Sequence, residues 1–160
     1  IDFEKITNMF HWIVELHSFE PSLPLAADMK KAGVTSIVME LRFGREYPLS
    51  PPFVRVIRPR FVPFMHGGGG NVTAGGAMCM ELLTNSGWSP VSSLESVLLQ
   101  VRLALTNTDP QPARLQVSTH RQDYGIGEAL DAYQRAANAH RWEIASDLSE
   151  TATGMVDFRG

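Results

Sequence analysis

The chain has 160 residues, 44% of them hydrophobic and 19% charged, with a net charge of −3. Such a length and composition suit one globular domain, and the lack of a basic excess argues against a nucleic-acid partner. No apolar run approaches the roughly 18 residues that span a bilayer and no secretory leader opens the chain, so the expectation is a cytoplasmic or nuclear domain without a membrane partner.

The chain opens on Ile1 rather than Met and reads as part of a longer protein. From Met9 to Leu16 an aromatic and β-branched run predicts the first strand. Leu25 to Ala32, after two prolines and before Gly33, predicts a short helix with Gly33 at its C′ position. Val34 to Phe43 alternates, with Ile37, Met39, Leu41 and Phe43 facing a core and Ser36, Val38, Glu40 and Arg42 facing out. After the Tyr47-Pro48-Leu49-Ser50-Pro51-Pro52 turn, Phe53 to Ile57 predicts a third strand, closed by Pro59. Arg55, Arg58 and Arg60 read as one solvated strand edge.

Phe61 to Met80 is predicted as a long glycine-rich loop, with Gly67 to Gly70 and Gly75-Gly76 opposing regular structure. A loop of that length inside a compact domain is usually functional. Ser92 and Glu95 have the spacing of a capping box, and Leu94, Val97, Leu98, Val101 and Leu105 line one face of the helix that follows, ending near Asn107. A last helix spans about 126 to 144, with Ile126, Leu130, Tyr133, Ala137 and Ile144 on one face and Asp131, Arg135 and Arg141 on the wet one. Strands followed by helices predict an α+β fold, an antiparallel meander with helices packed on one side, over residues 1–145, and 146–160 reads as a loosely ordered tail.

Three motifs stand in order: Tyr47-Pro48-x-x-Pro51-Pro52, then Gly76-Ala77-Met78-Cys79-Met80-Glu81-Leu82-Leu83, then Gly87-Trp88-Ser89-Pro90, where Trp88 lies nine residues beyond Cys79. With the amphipathic helix after them, this resembles the ubiquitin-conjugating (E2) domain over roughly residues 9 to 142. The Asp28-Met29-Lys30-Lys31 helix, the Phe53-Val54-Arg55-Val56 strand and the Cys-Met-Glu-Leu-Leu-Thr string resemble its Q-type branch. The family normally begins with a helix. Only eight residues precede Met9, so that helix is expected to be absent or very short.

The resemblance implies a carrier: Cys79 accepts ubiquitin from an E1 activating enzyme as a thioester and passes it to a lysine or thiol of a protein substrate, alone or with an E3 ligase. ATP would be used by the activating enzyme, and no cofactor or metal is expected here. No Lys, Arg or His lies within several residues of Cys79, so no strongly activated thiolate is indicated. A lone cysteine is more often a small buried hydrophobe, but the motif context favours the nucleophile. The family supplies an Asn eight residues before the cysteine, within His-Pro-Asn. Asn71 holds that offset, preceded here by Gly69-Gly70. Two readings of Asn71 stand: a donor that steadies an oxyanion or the loop, the former worth about 3 kcal/mol of barrier, or a turn residue tolerating positive φ.

The resemblance also implies an acidic or hydroxyl residue near the end of the helix after Trp88 that helps deprotonate the incoming lysine. Asp109 is the nearest carboxylate, the helix register puts Gln111 or Pro112 closer to that position, and the other reading of Asp109 is a helix-terminating loop residue. Leu49 and Ser89-Pro90-Val91 fall on the loops that the family turns toward its ligase and activating-enzyme partners. Tyr47, Pro48, Pro51, Pro52, Trp88 and Trp12 read as scaffold or core. One rival is a non-catalytic E2-variant module that binds ubiquitin. Another is an unrelated cysteine hydrolase pairing Cys79 with His66 or His120.

Overall fold

The computed structural model describes residues 10–142. The 146–160 tail, the N-terminal stretch before the first strand, Met9 and Ile144 lie outside the described residues. Three antiparallel strands, β1 (His11–Leu16), β2 (Ile37–Arg42) and β3 (Phe53–Arg58), form a meander in the order β1-β2-β3. Helix α1 (Pro24–Ala32) is inserted between β1 and β2, and α2 (Leu94–Thr106) and α3 (Ile126–His140) follow the sheet.

The register puts Leu41 opposite Trp12 and Val54, and Met39 opposite Val14 and Val56. Met39, Leu41, Val54 and Val56 are therefore on one face, and they share a core with Val97, Val101 and Leu105 of α2 and Leu25 and Met29 of α1. Each such side chain stabilises the fold by about 1.5 to 3 kcal/mol when removed from water. Helix α1 stops where Gly33 adopts a left-handed φ of 71°, a conformation that costs glycine no Cβ clash. The cap of α2 differs from the expected one. Ser93, not Ser92, accepts from the Ser96 amide at 3.1 Å, so the helix begins one residue later than the Ser92–Glu95 spacing implied.

The other sheet face corrects the alternation argument. Glu40 is 3% exposed and Arg55 7%, directly opposite each other in the register. Arg55 Nε donates to Glu40 Oε1 at 3.1 Å and its Nη1 donates to the Tyr124 carbonyl at 2.9 Å, while Arg42 and His11 also reach the Glu40 carboxylate. A charged pair can leave water when its hydrogen bonds are replaced this fully, so Glu40 and Arg55 do not mark a wet side. Nor is Arg60 a free edge charge: its guanidinium lies 4.5 Å over the Tyr124 ring and bonds Glu128. Trp12, expected in the core, is 45% exposed and meets the Phe43 ring edge-on at 5.8 Å.

The glycine-rich stretch is largely buried, and it is tied to the sheet. Val56 N donates to the Gly76 carbonyl at 2.8 Å and Met78 N to Val54 at 2.9 Å, which extends the sheet beyond β3. A Cβ on Gly75 would lie 2.0 Å from the Glu128 carbonyl oxygen, so only glycine lets the first turn of α3 rest there. Phe53, Ala77, Ala129 and Tyr133 form a small second cluster that seats α3 beside this strand-like segment.

Candidate functional site

Asn71 and Cys79 close a narrow hairpin. Val72 bridges Met78 and Thr73 N donates to the Ala77 carbonyl at 3.0 Å. At its base the pairing is reciprocal: Cys79 N donates to the Asn71 carbonyl at 2.8 Å, and Asn71 Nδ2 donates to the Cys79 carbonyl at 2.9 Å. Asn71 also has a φ of 60°. The residue thus occupies a left-handed position that Asn tolerates, and its amide steadies the backbone of the cysteine.

Cys79 itself is 3% exposed, and burial pushes its thiol up to about 11. Among the described residues no cation offsets that burial. The sulfur-bearing residue nonetheless forms part of the wall of an open groove of about 450 Å³. One side is the loop, from Phe64 through Gly67–Gly70 to Asn71. The other side is the end of α2 with the turn after it (Ala104, Asn107, Asp109, Pro110, Gln111) and the end of α3 (His140, Trp142). A Cβ on Gly69 would lie 1.9 Å from the Gln111 carbonyl oxygen, so the absence of a side chain there lets the two sides of the groove approach.

Asp109 and Cys79 thus line the same groove, and Gln111 lines it too. His140 stacks on Trp142 with ring centroids 4.6 Å apart. Sequence reasoning missed His140, Phe64 and Asn107, because the groove is closed by segments distant in the chain and no local pattern announces that contact. Neither His66 nor His120 lines the groove, so the hydrolase pairing is not made. His66 is exposed, and His120 Nδ1 lies 2.9 Å from the Val117 carbonyl.

Leu49 is 71% exposed and Val91 92%, with Ser89 and Pro90 also exposed. The two loops are joined beneath the surface, where the buried Trp88 donates from Nε1 to the Pro48 carbonyl at 2.8 Å and its ring lies 6.3 Å from that of Tyr47. Pro51 and Pro52 are buried as scaffold. Among the described residues no helix is long and apolar enough to cross a membrane, and no cluster of three or more His, Cys, Asp or Glu could hold a metal.

The family model described as "Ubiquitin-conjugating enzyme" matches residues 35–129. A Q-like ubiquitin-conjugating enzyme of Drosophila melanogaster is 35% identical over 133 residues, which cover 83% of this chain and 41% of that protein. Ubiquitin-conjugating enzyme E2 Q1 of Homo sapiens is 33% identical over 137 residues, covering 83% of this chain and 30% of that protein. The Q-like protein 1 of Mus musculus, also named as a ubiquitin-conjugating enzyme, is 33% identical over 133 residues, 83% of this chain and 78% of that shorter relative. The chain therefore spans less than half the length of the first two.

Proposed function

The chain belongs to the ubiquitin-conjugating enzyme family, as a domain of its Q-type branch, and from that premise we propose that it accepts ubiquitin from an activating enzyme as a Cys79 thioester. It then passes ubiquitin to a lysine or thiol of a protein substrate, with or without a ligase. The observation that carries this reading is the place of Cys79, at the wall of an open groove with its backbone held from both sides by Asn71.

Loading tolerates a high thiol pKa. In loading, the Cys79 thiolate attacks the thioester carbonyl of ubiquitin, a carbon–sulfur bond forms to Cys79, and the activating enzyme's sulfur departs and takes up a proton. Only about one molecule in 10⁴ carries the thiolate at pH 7 when the pKa is near 11. A low thiolate fraction is tolerable because the incoming acyl group is already a thioester. In transfer, the acceptor amine attacks the Cys79 thioester, the bond to Cys79 sulfur breaks, and a nearby base takes the amine proton. Asp109 and His140 are the groove groups able to do so. Asn71 steadies the loop and stands near the oxyanion that forms. The domain needs no cofactor of its own, since ATP is consumed by the activating enzyme in the cytoplasm or nucleus. Leu49 and Ser89-Pro90-Val91 form the surface offered to the ligase and the activating enzyme.

The deep burial of the thiol favours a second reading, a module that binds ubiquitin without carrying it. One assay decides between them. With activating enzyme, ATP and ubiquitin, the wild-type chain should form a thiol-reducible adduct that Cys79→Ala lacks, and Cys79→Ser should give an adduct that resists reducing agent. If wild type forms none beside an active conjugating enzyme, the carrier proposal fails, and ubiquitin binding without an adduct establishes the module.

A further inference from the structure

Where β2 begins and β3 ends, a second cavity of about 420 Å³ shares no lining residue with the Cys79 groove. Its walls are the turn from Ala32 to Ser36, Val38, Arg58 and Pro59 at the exit of β3, and His120 and Arg121. Among the described residues no carboxylate lines it, although the chain as a whole carries a net charge of −3. Two guanidiniums, one imidazole and the hydroxyl-bearing Thr35 and Ser36 surround the same space.

The site is held in shape: the segment that presents His120 and Arg121 is pinned on both sides, where Gln116 N donates to the Arg60 carbonyl at 2.9 Å and Tyr124 N to Ile57 at 2.8 Å. His120 Nδ1 lies 2.9 Å from the Val117 carbonyl, which fixes the ring as part of the wall. Arg58 Nε is held by Asp123 at 3.2 Å, which orients its guanidinium and offsets part of its charge, whereas Arg121 makes no ion pair among the described residues.

We infer that this cavity binds a phosphate group borne on a small organic moiety, through Arg58 and Arg121. Paired guanidinium forks with hydroxyls beside them match the several oxygens of a tetrahedral anion. The volume exceeds what a bare ion fills and leaves room for the group that carries it. The inference is independent of whether Cys79 carries ubiquitin.

The test is a titration of the chain, followed by amide nitrogen and proton shifts, with inorganic phosphate, O-phosphoserine and ribose 5-phosphate, and acetate at matched ionic strength. Saturable shifts at Thr35, Ser36, His120 and Arg121 are expected, and Arg121→Gln and Arg58→Gln should each weaken binding about tenfold. Tighter binding of phosphoserine assigns the phosphate to a modified protein side chain, and tighter binding of ribose 5-phosphate assigns it to a phosphorylated metabolite. The inference is overturned if no phosphate probe saturates by about 10 mM, if both Arg variants bind as wild type does, or if acetate reproduces the shifts. Arg121 is exposed, and dispersed spectra of its variant would verify that the fold survives.

Discussion

Glu40 and Cys79 are both 3% exposed, yet their protons answer burial in opposite ways. Burial pushes the Glu40 carboxyl upward, but the guanidiniums of Arg42 and Arg55 more than reverse this and hold it below its ordinary value. Burial pushes the Cys79 thiol upward too, and nothing reverses it. Depth alone does not decide protonation; the neighbours do. Under the sheet, charge is fixed by dedicated partners and serves the fold. At the groove, burial without such partners keeps the Cys79 thiol neutral near pH 7.

Removing the partners should break the first half of that contrast. Glu40→Ala leaves Arg55 buried without its carboxylate, and a loss of about 3 to 5 kcal/mol is expected in urea unfolding. Glu40→Gln should cost less. A carboxylate whose folded pKa is depressed stabilises above its unfolded value, and that contribution fades as pH falls through the folded value. The gap between wild type and Glu40→Gln should therefore be full at neutral pH and close in acid. A gap that stays constant from pH 7 down to acid unfolding would show that the buried charge is not what stabilises the pair.

The second half is sharpened by the thiol itself. Alkylation of Cys79 should rise about tenfold per pH unit from 7 toward 10, without a plateau before about 11. At pH 7 it should run roughly tenfold slower than in an unfolded peptide of the same sequence, because the lower thiolate fraction is partly offset by higher intrinsic nucleophilicity. A plateau near pH 8 would mean that an unrecognised cation activates the sulfur.

The smallest effect on stability belongs to the exposed loops. Leu49→Ala and Val91→Ala should each change stability by no more than about 0.5 kcal/mol while slowing ligase-stimulated transfer and leaving intact the unassisted discharge of a preformed adduct to free lysine. Equal loss in both assays would place these side chains in the chemistry instead of at a partner surface.

Periodicity made the helices legible: Val97, Val101 and Leu105 turn inward as their spacing implied. The motif order pointed to Cys79 and the offset of eight residues to Asn71, and the fold pairs the two in one hairpin. What escaped was whatever depended on register or distant closure. Glu40 and Arg42 carry the charges of a wet strand face, and only the pairing of Glu40 with Arg55 explains why the carboxylate sits inside. Trp12 has core composition but lies on β1, which ends the three-strand order, and remains nearly half open. His140 reaches the groove only because α3 packs over Gly75 through a small alanine and tyrosine cluster.

The indole bond from Trp88 to the Pro48 carbonyl has a mechanical consequence. A docking protein that pulls on the Leu49 turn also strains the Val91 turn, because the anchor between them lies inside the molecule rather than in solvent. The two behave as one stiff lip. A partner that docks there, as proposed, would meet a contour set before contact, and a poorly matched one could not gain by bending one turn without breaking the link to the other.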